Sequence, residues 1–238
     1  MSAVLGEFIG TTLLLLFGSG VVANVVLNKT TGNNSGWIVI TIGWGLSVFI
    51  GVYSSTALGG SGHLNPAVTL AMYAFKNFDA QLVLPYIGAQ LGGAALGSTL
   101  AWLVYKPHFA VTTDANAKMA VFCTSPAIRS TPNNLIAEAI GAFALVFGAL
   151  FISPAESDLG SLNAFPVALL VLGIGLSLGG PTGYAINPAR DLGPRIAHFI
   201  LPIPGKKDSD WRYSWIPVVG PIAGALVAGW LYQLITSA

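Results

Sequence analysis

Charge is scarce in this chain: only 8% of its 238 residues are Asp, Glu, Lys or Arg, against roughly 25% in a soluble domain. Ten Lys and Arg against nine Asp and Glu leave a formal net charge of +1. That provides neither a basic face for nucleic acid nor an acidic tail, so no nucleic-acid partner is expected. The single cysteine, Cys123, excludes an intrachain disulfide and leaves the redox compartment open. The three histidines, His63, His108 and His198, are too scattered for ligand spacing. No phosphate-cradling loop or nucleophile-base pair accompanies them, so no metal, no cofactor and no enzymatic centre is expected. Met1 to Glu7 lacks the basic region of a secretory signal and carries an acid instead, which reads as the edge of a first span.

What is present is apolar. With 54% hydrophobic residues and a mean hydropathy of +0.73, this is a polytopic membrane protein. Runs that approach or reach the roughly 20 residues of a span occur at Phe8 to Leu27, Trp37 to Leu58, Leu82 to Tyr105, Leu135 to Ile152, Phe165 to Leu178 and Trp215 to Ile235. The fifth is short and slides into Gly179-Gly180-Pro181. Polar links separate them at Asn28 to Gly36, Lys76 to Ala80, Lys106 to Asn133, Ser153 to Asn163 and Pro202 to Tyr213. Two further apolar stretches, Asn65 to Phe75 and Asn187 to Ile200, are too short to cross, and each begins Asn-Pro-Ala. They read as re-entrant half-helices, because Asn is a strong N-cap and Pro is favoured at the first helical position.

Motifs recur in the same order along the two halves. Glu7-x-x-Gly10 answers Glu138-x-x-Gly141, and Gly43-Trp44-Gly45-Leu46-Ser47 answers Gly173-Ile174-Gly175-Leu176-Ser177. Asn65-Pro66-Ala67 answers Asn187-Pro188-Ala189, and Pro85-x-x-Gly88-x-x-x-Gly92 answers Pro217-x-x-Gly220-x-x-x-Gly224. Three spans per half is an odd number, so a duplication of this kind inverts one half relative to the other and brings the N-termini of the half-helices together near the midplane. The glycine pairs read as small-x-x-x-small packing seams. Each Asn carboxamide can cap its helix through oxygen and point its NH2 donors at the meeting point, where both helix dipoles disfavour a cation. Arg190 breaks the local rule, a cation in the first turn of a helix at apolar depth, and is therefore a candidate functional residue. Val68 stands at the same step after the first box, so the cation belongs to one half only.

The repeat, the paired Asn-Pro-Ala boxes and Gly62-His63-Leu64-Asn65-Pro66-Ala67-Val68-Thr69 resemble the major intrinsic proteins, the aquaporin family, over essentially the whole chain. Asn187-Pro188-Ala189-Arg190-Asp191 is similar to their glycerol facilitator branch, in which Asp follows the Arg. The resemblance implies an all-α membrane fold of six transmembrane helices and two half-helices, a single channel domain over 1–238 with inverted repeats at about 1–110 and 130–238. It implies a selectivity filter of Trp44, Gly175, Tyr184 and Arg190, in which Arg190 donates to hydroxyls and Trp44 and Tyr184 form an apolar corner. Water-selective relatives usually carry His where Gly175 stands, so Gly175 is expected to widen the opening; Tyr184 departs from the Phe usual in the branch. Ser61, Gly62, His63, Leu64, Gly183 and Ala185 are expected to offer pore-lining carbonyls from non-helical backbone. His63 is either a pore-lining donor or a structural histidine. Glu7 and Glu138 are expected to brace the two re-entrant loops, and Asp191 to pair with Arg190 or Arg195.

The activity implied is passive, bidirectional diffusion of glycerol, with water, dihydroxyacetone, urea and undissociated lactic acid as further solutes and with ions and protons excluded. A water-selective channel, a coupled secondary transporter and, more remotely, a membrane enzyme are the alternatives. The resemblance also implies a homotetramer in the cell membrane with cytoplasmic termini. Loop charge argues the other way: the terminal side has only Lys76, the opposite side Lys29, Lys106, Lys118, Arg129, Lys206, Lys207 and Arg212.

Overall fold

The computed structural model describes residues 2–152 and 160–237, and among these every regular element is helical. In chain order they are α1 (Ala3–Val26), α2 (Trp37–Ala57), α3 (Pro66–Phe75), α4 (Ala80–Val111), α5 (Ala115–Ala120), α6 (Thr131–Phe151), α7 (Ala164–Leu178), α8 (Pro188–Ile200) and α9 (Ile216–Thr236). Five of them, α1, α2, α4, α6 and α9, are long and apolar enough to cross a bilayer. The fifth apolar run becomes α7, which at 15 residues is shorter, about 22 Å at 1.5 Å per residue. It is preceded by a 3-10 turn over Gly160–Asn163. The rest of the link expected at Ser153 to Asn163 lies outside the described residues.

Helix starts follow local chemistry. Ser2 accepts from the Leu5 N–H at the head of α1. Asn65 and Asn187, each in extended backbone, cap α3 and α8, with Pro66 and Pro188 at the first helical positions. The link expected at Lys106 to Asn133 is only partly a link. The third span, α4, runs on to Val111 with Pro107 inside it, and Asp114 caps the extra helix α5 by accepting from the Asn116 N–H.

Two close helix pairs form the frame: α1 against α4 and α6 against α9, with α2 alongside α1 and α7 alongside both α2 and α6. The α6–α9 pair meets through the glycines expected there. A Cβ on Gly220 would lie 2.8 Å from Cβ of Glu138, and one on Gly224 would run into the Ala139 carbonyl. In the α1–α4 pair the seam is displaced by one residue and one turn. Gly88 faces open space and Gly92 meets only the Phe8 ring, while Gly93 lies under the Phe8 carbonyl and Gly97 under that of Thr12. Spacing alone did not reveal which face of α4 turns inward, because glycine occurs on more than one of its faces. Between these pairs α3 and α8 approach each other end to end, α3 resting on α9 and α4, α8 on α4 and α9.

Candidate functional site

The two Asn-Pro-Ala boxes are joined to each other. Asn65 Oδ1 accepts from the Ala67 N–H at 2.9 Å, and its Nδ2 donates to the Ile186 carbonyl at 2.9 Å. In the other half Asn187 Oδ1 accepts from Ala189 and Arg190 at 2.9 and 3.2 Å, and its Nδ2 donates to the Leu64 carbonyl at 2.8 Å. Each amide thus spends its oxygen on its own helix and one N–H on the opposite loop, leaving one N–H for the cavity that both line.

The backbone leading to each box is strained in the same places. Leu64 and Ile186, immediately before the asparagines, have φ of +50° and +45°; Gly62 and Tyr184, two residues earlier, have +68° and +38°. A left-handed conformation costs a non-glycine residue roughly 1–3 kcal/mol and persists only where its surroundings enforce it. Two buried carboxylates do the enforcing. Glu7 accepts from the His63 N–H (2.9 Å) and the Ser55 hydroxyl (3.1 Å) on Oε1, and from the Leu64 N–H (2.7 Å) and Gln90 Nε2 (2.9 Å) on Oε2. Glu138 accepts from Ala185 (2.9 Å) and Ile186 (2.8 Å), one backbone N–H per oxygen, and from the Thr182 side chain. Glu7, at the start of the second turn of α1, is fully buried.

Around the boxes lies a cavity of about 300 Å³. Leu14, Val48, Val52, Val68, Leu145 and Val171 form much of its apolar wall, and Ser61, Gly62, His63 and Leu64 line it from the first approach segment. The second approach segment contributes Tyr184 and Ile186 instead of Gly183 and Ala185. Gly183 faces Thr124, and the Ala185 N–H is turned to Glu138. The Leu64 carbonyl is engaged by Asn187. His63 lines the cavity, and its Nδ1 lies 3.2 Å from the Thr69 hydroxyl.

Trp44, Tyr184 and Arg190 all line this cavity. The Arg190 guanidinium carbon stands 4.2 Å from the centroid of the Trp44 ring, a cation-π contact. Its side chain makes no hydrogen bond to any acceptor among the described residues, so its donors remain available to a solute. Gly175 does not line the cavity. A Cβ there would lie 2.9 Å from Cζ and Oη of Tyr184 and 3.0 Å from Cγ2 of Thr41, so the space that glycine vacates is filled by the tyrosine ring. Trp37 closes the back of this arrangement, donating Nε1–H to the Gly175 carbonyl at 3.1 Å and meeting Tyr184 edge-on. The Tyr184 hydroxyl is buried and has no partner among the described residues.

Asp191 pairs with Arg195, not with Arg190. Its Oδ1 accepts from Arg195 Nε at 2.8 Å, and its Oδ2 accepts from the Thr124 N–H, the Thr124 hydroxyl and a second Arg195 nitrogen. Arg195 also donates to the carbonyls of Thr124, Ser209 and Asp210. The pair fastens α8 to the α5–α6 link at Thr124 and to the link after α8 at Ser209 and Asp210. Sequence reasoning passed over Gln90, Ser55, Thr69 and Thr182, the neutral residues of the two braces. For Gln90 there was a signal: a carboxamide in the middle of the apolar run Leu82 to Tyr105.

A family model described as major intrinsic protein matches residues 1–232. The chain is 54% identical over 233 residues to a probable glycerol uptake facilitator protein of Thermotoga maritima, covering 98% of this chain and 99% of that one. It is 52% identical over 234 residues to a glycerol uptake facilitator protein of Streptococcus pneumoniae, with the same coverage. Among solved structures, the aquaglyceroporin from Plasmodium falciparum matches with a TM-score of 0.86 at 31% identity, over 99% of this chain and 98% of that one. The apolar helices and the crossed asparagine boxes are those of a multi-pass membrane protein, and the chain belongs to the major intrinsic protein family.

Proposed function

We propose that this protein is a passive, bidirectional channel for glycerol and other small uncharged solutes, among them water, dihydroxyacetone, urea and undissociated lactic acid, and that it excludes ions and protons. The observation that carries this reading is the Arg190 guanidinium, its donors unspent on protein acceptors among the described residues, stacked on the Trp44 ring in a cavity that Tyr184 also lines. A polyol has hydroxyls along one side and carbon along the other, and such a lining suits both. The half-helix N-termini and Arg190 place positive potential along the path, which opposes cations and a hopping proton. The buried carboxylates are occupied in holding backbone N–H groups, which favours passive diffusion over ion-coupled transport. The relatives' names support glycerol as the main solute.

We propose further that 1–238 is one channel unit built from inverted repeats at about 1–110 and 130–238, with Trp44, Gly175, Tyr184 and Arg190 as the filter. Gly175 contributes to that filter by giving Tyr184 its seat. The protein is placed in the cell membrane as a homotetramer with cytoplasmic termini and no enzymatic activity. Several of the cations that argue against this orientation have structural duties: Lys206 donates to the carbonyls of His198, Phe199 and Leu201 at the end of α8, Lys118 to that of Pro204, and Arg129 pairs with Asp210. The test is light scattering from proteoliposomes in a glycerol gradient: shrinkage followed by re-swelling at a rate linear in the gradient, in either direction. Vesicles that shrink and stay shrunken sink the proposal.

A further inference from the structure

The indole of Trp44 rests on a glycine of the neighbouring helix. Gly18 lies in the second half of α1, and a Cβ built on it would stand 2.5 Å from both Cη2 and Cζ3 of Trp44 and 2.8 Å from Cε3. That is roughly 1 Å inside the 3.5–4.0 Å at which carbon atoms pack best. Gly18 sits in the middle of a regular helix, where glycine is a poor choice and no turn asks for it. It does not line the cavity; Trp44 does, with Arg190 beside the ring.

The helices have little room to part and relieve the clash. On the N-terminal side of Gly18, α1 and α2 touch backbone to backbone: a Cβ on Gly10 would lie 2.6 Å from the Gly51 carbonyl oxygen, and one on Gly51 2.8 Å from that of Gly10. On the other side, a Cβ on Gly43 would lie 2.6 Å from Cγ2 of Val21. With α1 closing one side of the indole, the open side is the cavity.

We propose that Gly18 is a positioning residue for the solute path: by omitting a side chain it lets the Trp44 ring sit back against α1, and so sets the width of the constriction from outside the lumen. A methyl group at 18 drives the ring toward Arg190 and Tyr184 and selects against the larger solute. The inference rests on the channel reading above, and its experiment separates the two.

Wild-type protein, Gly18→Ala, Trp44→Phe and the double variant Gly18→Ala/Trp44→Phe are reconstituted in vesicles, and glycerol and water permeabilities are measured on the same preparations. Absence of glycerol flux in wild type defeats the channel reading. Given that flux, Gly18→Ala is expected to lower glycerol permeability at least fivefold while water falls less than twofold. In the double variant the smaller ring makes room for the methyl group, and the glycerol-to-water ratio returns to that of Trp44→Phe. An unchanged ratio in Gly18→Ala, or equal loss of both solutes that Trp44→Phe does not repair, overturns the proposal. Should Gly18→Ala alone fail to accumulate in the membrane, the double variant decides: accumulation with the Trp44→Phe ratio supports the seat, and failure to accumulate overturns it.

Discussion

Arg190 and Trp44 form a cation-π pair at 4.2 Å, and that stacking is the only fixed interaction of the guanidinium among the described residues. Arg190 lines the cavity with its side-chain donors unspent on any described acceptor, unlike those of Arg195, which are spent on Asp191 and three carbonyls.

Arg190→Ala is therefore expected to keep the fold and loosen selection. A hydrogen bond from a charged donor contributes about 1.5–3 kcal/mol, so discrimination between glycerol and longer or shorter polar solutes should shrink by roughly one to two powers of ten. A stopped-flow panel of water, glycerol, urea and a larger polyol reads the ranking, and ion leak in the same vesicles reads the loss of positive charge. An unchanged ranking would remove Arg190 from the filter.

Glu138→Ala leaves the N–H groups of Ala185 and Ile186 buried without an acceptor, each at about 1–3 kcal/mol, and releases the strained backbone of Ile186. The apparent melting temperature in detergent should fall and glycerol flux should be lost; Glu138→Gln, which keeps one acceptor oxygen, should be intermediate. Glu7→Ala should do the same to the first loop. A Glu138→Ala protein with wild-type melting and flux would show that the carboxylate braces nothing.

Tyr184→Phe should leave the solute ranking unchanged and glycerol permeability within about twofold of wild type, because the hydroxyl is buried against Gly175 instead of facing solute. Removing an unpartnered buried hydroxyl, which costs about 1–3 kcal/mol, should also hold or raise the melting temperature. A reordered solute panel would put the hydroxyl in the path.

Cys123 lies buried in the link between α5 and α6, and burial pushes its thiol up to about 12. The thiolate is the reactive form, so almost none is present at neutral pH. Folded protein in vesicles is expected to resist maleimide and mercurial reagents without loss of flux, and to take up label once unfolded in detergent. Rapid labelling or inhibition of the folded protein would contradict that burial.

Much of the architecture was legible in the residues. Long apolar runs locate the major helices because bilayer thickness sets their length, and Asn-Pro locates the two half-helix starts because capping acts over only a few residues. The correspondence of Glu7 with Glu138 pointed to a pair of like tasks, and Arg190 stood out as a cation in the wrong place for a helix start. Features that depend on neighbours within about one turn, or on a repeated pattern, are written into the order of the chain.

What the tertiary structure alone decided was which surfaces meet. Asp191 had two arginines within reach along the sequence, and packing of α8 against the Thr124 and Ser209 links selected Arg195. Glycines on two faces of α4 offered two seams, and the fit of Gly93 and Gly97 against the α1 backbone selected one. Gly175 read as an opening until the Tyr184 ring was found in the space it leaves, and Gly18 carried no signal until Trp44 was seen lying on it. Each of these outcomes turns on contacts of a few ångströms between residues far apart in the chain. Sequence order specifies the helices that make such contacts possible, and close packing between them determines which contacts form.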